Sequence, residues 1–474
     1  MYDIIRLIFG ISIIFVIGMS LLKLVIRDKT KIFLSERIAL SYGLGTGALS
    51  IGMFLLSFMD FQLNLSNILI LFSPFFVYLL WHAKYKVNYS SPDIITKLKN
   101  LNFLQLILIA SILFIVFLVF FDALIQPMHL QDERGFWALK AKILYHDTTI
   151  YSTDFFDADR IHPHKHYPLL IPLIESWIYI ALGHIDDRLV KILFPLFFAS
   201  LLLILYSSQR KFFPETHSLI FTALLASMPY LVVSHLPVYD AGKGAASGYA
   251  DVPLSFFYFI STIYLYMWMK DHDRKDYLII ASIFSIFTIF TKLEGFMLFI
   301  INLSIFIMYV LFNIKYFTKQ KIKESSIYPL LPFVILLPWF IFQRNLPNDF
   351  LFQFTIENFI QHLYRLPIIL IYFLKIFLNP IHWNILWILL SLSTLFTIKD
   401  TFKKPIIYLF LMLLLHLLAY LFIYTISPSS SVISQMHYSV DRRVLAHIVP
   451  VIVFLISTQT FVGKLLPKIT IFTT

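Results

Sequence analysis

An acidic pair, Asp132 and Glu133, stands just beyond a long apolar run, and the stretch RIHPHKHYP downstream carries histidines at 162, 164 and 166. Carboxylates so placed can take the proton of an attacking hydroxyl or hold a divalent metal ion. Pro163 favours an extended backbone at His162, and alternation along an extended segment would bring the histidines to one side. Asp132, His164 and His166 are therefore a candidate metal set, since imidazole and carboxylate together suit first-row ions. Plainer readings stand beside these: Asp132 as a helix cap, Glu133 as a complement to the helix dipole, and the histidines as ordinary loop residues. After the pair, Phe136, Leu139 and Ile143 with Trp137, Ala141 and Leu144 form a broad apolar stripe, and Lys140 and Lys142 fall elsewhere on the surface. Such a helix lies in a membrane interface.

Other polar residues interrupt apolar sequence. Lys292 and Glu294 lie in IFTKLEGFML. An ionisable side chain near membrane depth is costly and is a functional candidate by default, although Glu294 would also serve simply as the partner of Lys292. The segment YDAGKGAASGYADVP joins Asp240, Lys243 and Asp251 with glycines. Glycine lets a backbone approach a phosphate closely, and it equally makes a flexible connection. Asp251 precedes Pro253 at the mouth of an apolar run, where it would bind ligand hydroxyls or cap the helix. Lys292, Lys243, Arg442 and Arg443 are the candidate cations for a phosphate; snorkelling to lipid headgroups is their ordinary alternative. His235 and His447 read as packed, hydrogen-bonded residues outside any site.

The elements that must hold these groups follow from composition. Of 474 residues, 59% are hydrophobic and only 14% charged, and the mean hydropathy is +0.80. That much apolar side chain needs lipid as solvent, and backbone in lipid must be helical. The expected class is an all-α polytopic membrane protein of about 13 spans: 4–26, 36–59, 66–82, 101–123, 188–208, 217–235, 253–270, 277–293, 296–312, 327–343, 383–398, 405–426 and 445–462. The first is read as a retained signal anchor. The absence of cysteine removes disulfides, thiol catalysis and thiolate metal sites. A net charge of +11 suggests nucleic acid, but the lysines sit in short connections between spans, where the positive-inside rule puts them.

Placing all lysine-rich connections in the cytoplasm imposes a parity test. Only one of the two apolar segments before Arg210 and Lys211 can cross, so 168–183 is expected to be embedded or interfacial and 188–208 to cross. The same test makes 351–378 mostly an outer-surface segment, broken by Pro367 and Pro380. Residues 1–100 form an N-terminal group of helices, and 101–474 form a module with outer loops at 124–167, 236–252, 344–365 and 427–443. Long structured loops in a compact protein are usually functional.

Four stretches in order carry a family resemblance. DExxFW (Asp132, Glu133, Phe136, Trp137) followed by HYPLLIPLIESW resembles the first outer loop of GT-C glycosyltransferases, specifically the lipid A aminoarabinose transferases and protein O-mannosyltransferases. TKLEG (291–295), LPWFIFQRNLPNDFLFQFTIEN (337–358) and DRRVLAHIVP (441–450) are similar to later elements of that group. The first three spans are additional to its usual layout. The resemblance implies an inverting transfer from a polyprenyl-phosphate-linked sugar to a lipid, glycan or protein acceptor outside the plasma membrane. It assigns catalysis to Asp132 and Glu133, the donor phosphate to Lys292, Arg442, Arg443 and Lys243, and sugar or acceptor contacts to Asp251, Glu294, Trp137 and Tyr167, with a divalent metal as a candidate cofactor. A flippase for a lipid-linked sugar and an O-antigen ligase-type enzyme are the alternatives.

Overall fold

The structure is a computed structural model that describes residues 1–26, 32–83, 101–157, 164–232, 244–347, 356–403, 405–426 and 445–459. Helices α1 (Tyr2–Val25), α2 (Leu34–Phe58), α3 (Leu65–Ala83) and α4 (Phe103–Ile125) come first. The first outer loop holds α5 (Ala138–Asp147) and α6 (Leu170–Leu182). Next are α7 (Leu193–Arg210), α8 (Glu215–Ala226), α9 (Asp251–Lys270), α10 (Lys275–Thr291), α11 (Leu293–Phe312) and α12 (Ile327–Arg344). The chain continues through α13 (Leu366–Phe377), α14 (Leu386–Phe396), α15 (Ile406–Ile426) and α16 (Val449–Ser457), with no strand among the described residues.

Nine helices among the described residues are long and apolar enough to cross a membrane. The chain is a polytopic helical membrane protein. Its lipid-facing surface is plain on α4, where Leu113, Phe114, Phe117 and Phe121 are all exposed. The shorter apolar helices include α6, whose 13 residues fall below the roughly 20 that hydrocarbon requires. That agrees with an embedded or interfacial role for 168–183. Residues 357–377 differ from expectation: a helix (Ile356–His362), a 3₁₀ turn (Leu363–Arg365) and α13 follow one another without a gap and together are long and apolar enough to cross. Pro367 does not break them, because it lies in the first turn of α13, where a missing N–H has no helical partner to lose.

At the centre runs α9, buried along nearly its whole length. Its Ser255 hydroxyl donates to the Ala446 carbonyl, docking the 445–448 turn beside it (3.1 Å). At the other end of α9, the buried Glu36 carboxylate accepts from the Lys211 ammonium (2.5 Å) and from the Tyr264 hydroxyl. This ties α2, α7 and α9 together. An unpaired charge there would cost several kcal/mol.

The N-terminal helices are part of the core rather than an appendage. Tyr42 donates to the Leu193 carbonyl (2.8 Å) and Ser50 to the Leu170 carbonyl (3.0 Å). Trp177 of α6 donates its indole N–H to the Gly10 carbonyl (3.0 Å), and Arg6 donates to the Leu182 carbonyl. So α6 is seated on α1 and α2. Those two helices meet backbone to backbone: a Cβ on Gly18 would lie 1.7 Å from the Ser41 carbonyl oxygen, and one on Gly45 would lie 1.9 Å from that of Ile14. Small residues allow such approach where helices associate in lipid. Gly45→Val should therefore lower the stability of the purified protein in mild detergent by about 2 kcal/mol or more, read as a fall in its thermal midpoint. Gly135→Ala, where a Cβ meets nothing within 4 Å, should leave the midpoint unchanged.

Candidate functional site

Two loops meet at the end of the bundle where α9 begins. The first follows α4, and Glu133–Trp137 winds as a single π-helical turn, a form frequent at functional sites. Its Glu133 is fully buried. One carboxylate oxygen accepts from the backbone N–H groups of His129 (2.5 Å) and Leu130 (3.0 Å), and the other accepts from that of Gly248 (2.7 Å). A charged acceptor satisfied by backbone donors is among the stronger hydrogen-bonding arrangements. Glu133 thus stitches the first loop to the 244–250 segment that leads into α9. Space is tight at the seam, since a Cβ on Gly248 would stand 3.1 Å from both Glu133 Cβ and Met128 Cε. The Asp132 amide donates to the Tyr249 hydroxyl across the same seam (3.4 Å).

Asp132 precedes this turn and is half-buried. Asp132 makes no side-chain cap bond, and Glu133, in the first turn, is held by specific backbone bonds.

Three residues beyond Gly248, Asp251 opens α9 and is buried. It is not the helix cap, a position Ala250 occupies. Its Oδ1 accepts from the Lys292 ammonium (2.8 Å) and from His447 Nε2 (3.0 Å). Because an ionised carboxylate only accepts, Nε2 carries the imidazole hydrogen, and Nδ1 accepts from the Tyr420 hydroxyl (3.2 Å). Lys292 also meets Glu294 Oε1 at 2.9 Å. Lys292, Asp251 and His447 are all nearly inaccessible, while Glu294 is 21% exposed.

Local backbone explains how TKLEG delivers the lysine. Lys292 is an extended residue between α10 and α11 (φ −157°, ψ 156°), so its side chain leaves the gap between two helices. Gly295 permits the turn: a Cβ there would fall 1.9 Å from the Thr288 carbonyl oxygen.

The structure thus brings Asp132, Glu133, Asp251, Lys292 and Glu294 to one end of the bundle, and adds His447 and Tyr420. His447 is buried and hydrogen-bonded, as the sequence suggests for a histidine at this depth; what the sequence does not show is its partner. Its signal was its place in DRRVLAHIVP, next to the turn that docks on α9, but a single histidine cannot announce a partner 196 residues away. Lys243, Arg442 and Arg443 lie outside the described residues, as does His162. No protein-family model and no curated protein matches the chain.

Other expected residues are engaged differently. Trp137 is 1% exposed and meets Tyr167 edge-on, with centroids 5.6 Å apart, so its ring packs rather than presenting a face to a ligand. Lys140 is not on the surface: it is buried, and its ammonium donates to the carbonyls of His164 (2.6 Å) and Tyr167 (3.2 Å). That peg holds 164–167 as a turn instead of an extended strand. His164 takes a left-handed backbone (φ 58°) with its ring against Phe136, while His166 Nε2 contacts the Pro347 carbonyl (2.9 Å). Asp132, His164 and His166 therefore do not converge, and no metal-sized group of three such side chains occurs among the described residues. On α6, Glu175 is wholly buried with neither carboxylate oxygen hydrogen-bonded. Burial first, and the Glu133 charge second, push its pKa well above the usual carboxylate range.

Two stability outcomes follow. Glu133→Gln places an amide NH₂ against backbone donors and should cost about 2–3 kcal/mol, measured by unfolding in detergent, whereas Asp132→Asn should leave stability near wild type. Lys292→Met strands two acidic groups and should cost about 3–5 kcal/mol. Combining it with Asp251→Asn should cost less than the sum of the single changes, read as a coupling energy in a double-mutant cycle.

Proposed function

We propose that this chain is a membrane glycosyltransferase of GT-C type, which transfers a sugar from a polyprenyl-phosphate-linked donor to a lipid, glycan or protein acceptor. The observation that carries the reading is the Glu133 stitch. It ties the segment that carries Asp132 to the 244–250 segment that leads into Asp251, so a partly exposed carboxylate is held by the same loops that position the buried Asp251, Lys292 and His447 group. The ordered motifs DExxFW, HYPLLIPLIESW, TKLEG and DRRVLAHIVP support it independently.

In this proposal Asp132 accepts the proton of the acceptor hydroxyl as its oxygen bonds to the anomeric carbon. The bond from that carbon to the phosphate oxygen breaks on the opposite face, and the lipid phosphate leaves with the electron pair. Glu133, with both oxygens engaged, is a positioning residue. Lys292 is held by Asp251 and Glu294, which suits anchoring Asp251 better than meeting the phosphate. Arg442, Arg443 and Lys243 are then the proposed phosphate cations. No step is routed through a metal. The proposed topology keeps about 13 crossings of a bacterial-type inner membrane, with the site on the face away from the lysine-rich loops.

A second reading is supported by a different observation. The buried chain Glu294, Lys292, Asp251, His447 and Tyr420 is the kind of ionisable series that carries protons in transporters, which favours a flippase for a lipid-linked sugar.

One experiment separates the two. Purified protein is given a synthetic polyprenyl-phosphate-linked labelled sugar, and transfer or hydrolysis is followed alongside movement of the lipid across liposomes. The expected result is sugar release that falls about 10²–10⁴-fold in Asp132→Asn. Wild-type turnover in that variant removes Asp132 as the base. Lipid movement with no sugar release from any such donor supports the flippase instead.

A further inference from the structure

A cavity of about 510 Å³ opens at the other end of the molecule, between α9, α10 and α12. It is separated from Asp251 by the length of α9, whose 20 residues rise roughly 30 Å. The cavity has two contrasting walls. Trp268, Leu331 and Phe317 make one side apolar, and Lys275, Lys321 and Lys323 bring ammonium groups to the rim. Carboxylates offset two of these: Glu324 meets Lys275 at 2.7 Å, and Asp273 meets Lys321 at 3.0 Å. Lys323 has no ion pair among the described residues, so its charge is uncompensated. His272 adds none, because burial first, and Lys321 second, lower its pKa. Ser326 and Ile327, where the Lys319–Ser325 helix runs into α12, also line the cavity.

The apolar wall continues outwards. Leu330 and Val334 line the cavity, yet are 57% and 65% exposed, on the face α12 turns towards lipid. At the same end, Phe312 and Tyr316 are 71% and 75% exposed, as rings are at headgroup depth. A ligand here must be anionic at one end and apolar at the other, and must arrive sideways from the bilayer.

We infer that this cavity binds an anionic phospholipid, with its phosphate at Lys321 and Lys323 and its acyl chains along Leu330 and Val334. The site takes an intact lipid of the surrounding leaflet and is independent of the sugar-transfer reading. Basic pockets between helices recognise such headgroups.

The test uses the full-length protein, delipidated in a neutral detergent and titrated by native mass spectrometry. Phosphatidylglycerol should bind at least tenfold more tightly than phosphatidylcholine with the same acyl chains. Lys323→Glu should weaken phosphatidylglycerol roughly fivefold or more. Val334→Trp, which blocks the lateral mouth at an exposed position, should weaken it as well. Lys315→Glu, in the same basic connection but outside the cavity, should not. Equal binding of the two lipids, or an equal loss in Lys315→Glu, overturns the site. Displacement by chain-free glycerophosphoglycerol as effective as that by intact lipid overturns the lipid assignment, leaving a small-anion site.

Discussion

A charge removed from water inside a helical bundle needs a partner of the opposite sign, and this requirement organises the interior. Asp251 and Glu294 hold Lys292 at one end of α9, and Glu36 holds Lys211 at the other. The Asp251–Lys292 and Glu36–Lys211 pairs each join separate helices, so satisfying the charge also fixes the packing of elements far apart in sequence. The geometry around Asp251 is therefore inseparable from the geometry of the bundle. A helix that shifted along its axis would uncover a charge before it lost much apolar contact.

Glu133 applies the same logic to a loop. Its partners are backbone N–H groups on two separate segments, which no change of side chain can remove. The acidic pair divides into two roles. One carboxylate is consumed in construction, and its neighbour is left on the frame with its side chain not engaged as a cap. Below them, Lys140 pins the 164–167 turn from within. Charged residues that look functional by type can thus be structural by placement.

The sequence made legible what depends on composition and length. The helical membrane class and the short helix within 168–183 follow from hydropathy and length, and the lone charge of TKLEG marks a lysine that the fold buries in ion pairs. Other features depended on long-range pairing that no local pattern encodes. His447 lies in an unremarkable turn until α9 is packed against it. Lys140 lies on an apparently polar side of its helix until the downstream turn folds over it. The continuity of 357–377 was masked by Pro367, whose effect depends on whether it falls in a first turn or an interior one. Between His164 and His166 the alternation gives way to a turn for a related reason, because the Lys140 ammonium gathers the carbonyls of His164 and Tyr167.

The seating of α6 on α1 and α2 has a temporal side. Translation is vectorial, so the helices that receive α6 leave the ribosome well before it does. Their close glycine contacts form between neighbours in sequence, joined by a short connection. The cradle offered by Gly10 and the Leu170-facing Ser50 is then ready when the embedded helix emerges. A helix of only 13 residues then meets a waiting protein surface as it emerges.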